Sequence, residues 1–227
     1  MNLQEYKNQI KLMKKQNDTE HDIYPIIWNL IQEGNNVHGK LSLRSVNERR
    51  RSPKGQVFYG LSGIPDFAIL DLEFDNNQNK DGSVKNIRQI YGCIEIKKEK
   101  HLLSIKGIKE KINTNRNLSK EERQLLGEIL WYKKVLYTNG NIWKYYEWES
   151  ENIQFHQIID MVEKRIDYEV TEKNRDFIWY GKGKEKLDID EIEFYEKEFF
   201  SLSDNTTEEE WEQFKEKIHK IQWKNQE

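Results

Sequence analysis

The 227-residue sequence predicts a mixed α/β core, and three stretches carry that expectation. Phe67-Ala68-Ile69-Leu70-Asp71-Leu72 and the run from Ile87 to Ile96 are apolar segments of strand length. Between them lies "DNNQNKDGS", whose Asn, Asp and Gly favour a turn or a long hairpin loop. Ser119 with Glu122 forms a capping box ahead of Leu125, Leu126, Ile129, Leu130 and Leu136, the buried side of a helix expected to reach about Tyr137. "TNGN" then turns the chain into the aromatic strand "IWKYYEWE".

Taken in chain order, Leu3, Tyr6, Ile10 and Met13 recur at helical spacing. After the Asn17-Asp18-Thr19 break, Ile23, Ile26, Ile27, Leu30 and Ile31 do so again. Two short helices are expected, the second kinked or delayed by Pro25, which removes a hydrogen bond. From Val37 to Val46, Val37, Leu41 and Leu43 alternate with His38, Lys40, Ser42 and Arg44, as in a half-buried strand that ends in the basic turn "NERRRSPKG". Past Glu151, Ile158, Ile159, Val162 and Ile166 suggest a helix and "GKGKEK" a loop. Thr207 with Glu210 caps a last helix carrying Trp211, Phe214, Ile218 and Ile221 on one side. That side suits either a homodimer face or packing on the chain's own core.

Composition bounds the rest. Charged residues make up 34% and mean hydropathy is −0.98, yet 36% hydrophobic and 12% aromatic residues supply enough surface for a core. A single cysteine, Cys93, excludes an internal disulfide framework, and it reads as a small buried residue. Neither a signal-like apolar segment nor a membrane-length run is present, so a cytoplasmic location is expected. The net charge of −3 hides an asymmetry: residues 1–150 hold 25 Lys and Arg against 19 Asp and Glu, whereas 151–227 hold 12 against 21. The expected organisation is a core over 1–150 and an acidic, α-rich C-terminal appendage over 151–227, packed on the core or extending from it. A basic first part fits a polyanion; an acidic end fits a solvated appendage, a protein partner or a cover.

The chemistry concentrates where the two central strands meet. If they pair antiparallel, Asp66 at the head of one approaches Glu95 near the end of the other. Two converging carboxylates repel unless one keeps a proton or a cation sits between them, and a hard divalent cation such as Mg²⁺ or Mn²⁺ accepts such oxygens. Lys97, two residues after Glu95, projects from the same strand face. Glu-x-Lys occurs also at Glu5-Tyr6-Lys7, in a helical pattern with no Pro-Asp before it, so context gives the motif its weight. Asp71 lies on the opposite strand face and reads as a surface acid. The five histidines show no metal-ligand spacing, and His21 beside Glu20 reads as incidental.

Pro65-Asp66, a hairpin and then Glu95-Ile96-Lys97 resemble the PD-(D/E)XK nuclease superfamily. "LLGEILWYKKVLYTNGNIWKYYE", Leu125 to Glu147, and "TEHDIYPIIWNLIQEGN", Thr19 to Asn35, look like segments of the nuclease domain of type I restriction enzymes, in which a proline falls within a kinked first helix. The resemblance covers about Thr19 to Glu149. It implies a restriction-endonuclease-like fold, a central mixed β-sheet flanked by helices. It also implies Asp66, Glu95, the Ile96 carbonyl and Glu20 as metal ligands, and Lys97 as the catalytic lysine. Gln124, Glu128 and Tyr132, at i, i+4 and i+8, are similar to a Gln-and-Tyr motif of some relatives, although an aromatic usually follows the glutamine at shorter spacing. The long insert from Asp75 to Ser83 and the tail after Glu151 have no counterpart in that pattern.

The leading expectation is therefore a Mg²⁺- or Mn²⁺-dependent nuclease acting on DNA, in restriction or phage conflict, with RNA as the second substrate choice. The competing one is a catalytically silent binding or inhibitor protein on the same fold, its acidic tail mimicking nucleic acid. Arg49, Arg50 and Arg51 are candidate phosphate contacts. Trp143, Tyr145, Tyr146 and Trp148 are candidate stacking faces, with alternation along a core strand the stronger reading.

Overall fold

Capping residues set where the helices begin. Helix α1 (Leu3–Gln16) starts from a capping box of Asn2 and Glu5, and α2 (Glu20–Gln32) follows Thr19, whose N–H and hydroxyl both donate to the Asp22 carboxylate. Pro25 sits inside α2 without delaying it: the helix begins at Glu20, five residues earlier, and the proline faces solvent. The predicted apolar positions of both helices are all buried. The computed structural model describes residues 1–34, 41–47, 58, 63–75, 89–98, 103–114, 116–149 and 193–224. The expected basic turn with Arg49, Arg50 and Arg51 lies outside the described residues, as do the insert after residue 75, the helix expected over 158–166 and the "GKGKEK" loop.

The strands are β1 (Leu41–Ser45), β2 (Phe67–Asp71), β3 (Ile90–Ile96), β4 (Lys134–Thr138), β5 (Ile142–Glu149) and β6 (Glu193–Ser201). They form one sheet in sequential order, antiparallel throughout except for the parallel pair β3–β4. A parallel neighbour needs a crossover, which α3 (Ile105–Asn113) and α4 (Lys120–Tyr132) supply. Helices cover both faces. On one, α1, α2 and α5 (Glu208–His219) pack with Leu43, Phe67, Ile69, Ile94, Ile96, Leu136 and Trp143; on the other, α3 and α4 pack with Cys93, Val135, Tyr146 and Trp148. Burial on both sides explains why residues 67–70 in β2 and 135–137 in β4 run apolar without alternation.

Three expectations change. The helix expected to reach Tyr137 stops at Tyr132, because Lys133 takes a left-handed φ of 67° and the following Lys-Val-Leu-Tyr-Thr pairs with strands on both sides. Leu136 is therefore a strand residue. Helix α3 was not expected, although Ile105, Ile108 and Ile112 recur at helical spacing. In the C-terminal part, residues 193–224 do not form an α-rich appendage: β6 pairs with β5 along its whole length, and α5 buries Trp211, Phe214 and Ile218 in the same core. The apolar side of the last helix thus packs on its own chain.

The "TNG" hairpin between β4 and β5 is fixed by side chains. Asn139 Oδ1 accepts from the N–H groups of Asn141 (3.0 Å) and Ile142 (2.7 Å), and Gly140 adopts φ 83° with its carbonyl accepting from the Tyr6 hydroxyl. Among the described residues no helix is long and apolar enough to cross a membrane.

Candidate active site

Strand pairing places the carboxylates. Phe67 lies opposite Ile94 in the antiparallel β2–β3 pair, so Asp66 falls beside the end of β3, where the Ile96 N–H donates to its Oδ2 at 2.7 Å. The carbonyl of Asp66 accepts from the Val46 N–H at 3.0 Å, which brings Asn47 alongside. The parallel ladder continues one step past β3, with the Lys97 N–H donating to the Thr138 carbonyl at 2.8 Å. Alternation does the rest. Ile94 and Ile96 face the α1–α2–α5 side, whereas Cys93 and Glu95 face α4.

Helix α4 meets Glu95 with Gln124 and Glu128. The Gln124 amide nitrogen donates to Glu95 Oε1 at 2.6 Å and to Glu128 Oε1 at 2.9 Å, and its oxygen accepts from Lys97 Nζ at 3.3 Å. Lys97 also forms an ion pair with Glu95 Oε1. From α2, Tyr24 donates its hydroxyl to Asp66 Oδ1, which accepts in addition from Asn47 Nδ2 at 2.7 Å. Glu20, one helical turn before Tyr24, lies near enough to act on the charges of Tyr24 and Lys97. The predicted residues Asp66, Glu95, Lys97 and Gln124 therefore converge, with Glu20 close enough for its charge to act on Lys97.

Tyr132 lies near enough to feel the charges of Glu128 and Glu95 but makes no hydrogen bond to them. Its hydroxyl donates to the Phe58 carbonyl at 2.6 Å, anchoring that segment to α4. The residue at i+4 from Gln124 that faces the cluster is Glu128, buried to 0% exposure. Asp71 accepts from Tyr91 at 2.7 Å, apart from the cluster, and Cys93 is a buried free thiol. Trp143, Tyr145, Tyr146 and Trp148 are all buried, so none offers a stacking face. The reading from sequence missed Tyr24 and Asn47; the first had a signal, its i, i+4 relation to Glu20, whereas Asn47 had none.

Electrostatics follow from burial. Asp66 and Glu95 are each 2% exposed. Desolvation raises the Asp66 carboxyl above its ordinary value despite its hydrogen bonds from Tyr24, Ile96 and Asn47. Burial, with the negative charges of Glu128 and Asp66, drives Glu95 well up, and burial pushes Glu128 up to about 7. The Glu95–Glu128 pair thus retains a proton to higher pH than an isolated glutamate would. Burial pulls the Lys97 ammonium down, but Glu95 beside it, with Glu128 and Glu20, outweighs this and holds it above the ordinary value.

Among the described residues, no group of three His, Cys, Asp or Glu side chains stands ready as a metal cage. Asp66 Oδ1 is engaged by two donors and Glu95 is paired with Lys97. The donor chemistry nevertheless fits a hard cation. Glu95 Oε2 and Glu128 Oε2 are buried and accept no hydrogen bond from a described donor, the two carboxyls lie close enough to share a proton, and three carboxylates face a single ammonium. Neither a protein-family model nor a curated protein nor a solved structure matches the chain.

Proposed function

We propose that this chain is a divalent-metal-dependent nuclease of the PD-(D/E)XK type, hydrolysing phosphodiester bonds in DNA. The observation that carries the reading is the convergence of Asp66, Glu95 and Lys97 at the end of one antiparallel strand pair, with buried carboxylate oxygens left unserved. The order of elements, with a meander β1–β2–β3 followed by helices and a parallel β4, supports it.

Asp66, Glu95 and the Ile96 carbonyl, with Glu20 from α2, would hold the cation. Bound there, Mg²⁺ or Mn²⁺ supplies charge neutralisation for a phosphate and acidifies a water. Lys97, paired with Glu95 and with its side chain 13% exposed, would offset charge gathering on phosphate oxygens. Gln124 fixes both partners, its amide nitrogen on Glu95 and its oxygen on Lys97, so that neither swings away as charge develops.

The closed Glu95–Lys97 ion pair favours a second reading, a catalytically silent nucleic-acid-binding or inhibitor protein on the same fold. Cleavage of labelled double-stranded DNA, single-stranded DNA and RNA with Mg²⁺ or Mn²⁺ separates the two. Cutting by the wild type but not by Glu95→Gln or Lys97→Ala is the expected outcome. Folded wild-type protein that cuts none of the three selects the silent reading.

A further inference from the structure

A carboxylate has about four lone-pair positions, two on each oxygen. In Asp66 three of them are taken: Oδ1 accepts from the Tyr24 hydroxyl and from Asn47 Nδ2 at 2.7 Å, and Oδ2 accepts from the Ile96 N–H at 2.7 Å. Asn47 Nδ2 also lies 3.1 Å from the Tyr24 oxygen, so the two donors brace one another as well as the acid. The one position left is on Oδ2, the oxygen pinned to the backbone of the Glu95-Ile96-Lys97 strand.

We infer that Tyr24 and Asn47 are positioning residues that clasp Oδ1 of Asp66 and so present Oδ2 alone, in one orientation, to a divalent cation. This rests on the cation-binding reading above and extends it to two side chains outside the predicted ligand set. The clasp joins three separate elements. Tyr24 comes from α2 and is held by edge and tilted contacts to His21 and Phe67; Asn47 follows β1; Ile96 closes β3. Without it the buried carboxylate is free to turn about its χ2 bond, since the Ile96 N–H alone restrains it. Partners of this kind orient a metal ligand, and losing one typically weakens metal binding by about 10- to 100-fold.

Tyr24→Phe keeps the ring contacts and removes only the hydroxyl, and Asn47→Ala removes the second donor. Mn²⁺ affinity of the full chain is measured by titration calorimetry for wild type and both variants, alongside thermal melting in chelator. Expected is a Kd for Mn²⁺ raised about tenfold or more in each variant, with Tyr24→Phe melting near the wild type in chelator. Unchanged or tighter Mn²⁺ binding in Tyr24→Phe, with wild type binding normally, overturns the clasp and leaves the cation site standing. Absence of Mn²⁺ binding by folded wild type overturns both.

Discussion

Glu128 gives the sharpest test of the buried acid cluster, because replacing it by glutamine keeps the shape and removes the charge. Its carboxyl is held at about 7 against an ordinary 4.5, chiefly by desolvation. Each pKa unit corresponds to about 1.4 kcal/mol, so ionising Glu128 costs the folded state about 3 kcal/mol. The folded state binds this proton more tightly than the unfolded chain does. The resulting stability is complete below pH 4.5 and is lost as pH rises through 7. Glu128→Gln lacks that loss, while its amide oxygen still accepts from Gln124. Urea denaturation in chelator at pH 4.5 and pH 8 should show little difference between variant and wild type at the lower pH. At pH 8 the variant should be more stable by about 3 kcal/mol, worth roughly 6–12 °C in melting temperature for a chain of this size. A variant no more stable than wild type at pH 8, or one displaced equally at both values, would show that Glu128 does not ionise at a cost inside the fold.

Two further outcomes are expected. Mg²⁺ at ten times its Kd should stabilise the wild type by about 1.4 kcal/mol through linkage, a gain that Glu95→Gln abolishes; an equal gain in both proteins would place the cation elsewhere. A Cβ at Gly92 would lie 2.5 Å from the Trp223 ring and 2.9 Å from the Lys134 carbonyl oxygen, contacts that backbone on one side cannot relieve. Gly92→Ala should therefore cost about 1–3 kcal/mol by chemical denaturation, and an unchanged midpoint would mean that Trp223 is not seated against β3.

Helix faces were legible because a helix writes its burial into a 3.6-residue repeat. Tyr6 with Ile10, Ile27 with Leu30, and Trp211 with Phe214 all fall where the spacing puts them. The same device failed at Leu136, which continues the apolar rhythm of α4 while belonging to β4. A strand buried on both faces has no period of its own, so only the left-handed turn at Lys133 separates the two elements. Asp66, Glu95 and Lys97 stood out from the sequence because one antiparallel hairpin is enough to join them. Tyr24 did not, since it reaches Asp66 from α2, a separate element 42 residues away in the chain, and Asn47 did not, because nothing in its residue type or spacing marks an asparagine just past β1 as a partner of that acid.

By itself, then, the sequence determined what local periodicity and a single strand pairing encode: the faces of α1, α2 and α5, the strands β2, β3 and β5, and the meeting of Asp66 with Glu95. The tertiary structure alone decided the parallel insertion of β4 beside β3, the addition of β6 and α5 to the same core, and the enclosure of Glu95 between Gln124, Glu128 and Lys97. These depend on contacts between segments far apart in the chain, whose energies come from burial shared by both partners, and neither segment carries that burial in its own residue pattern.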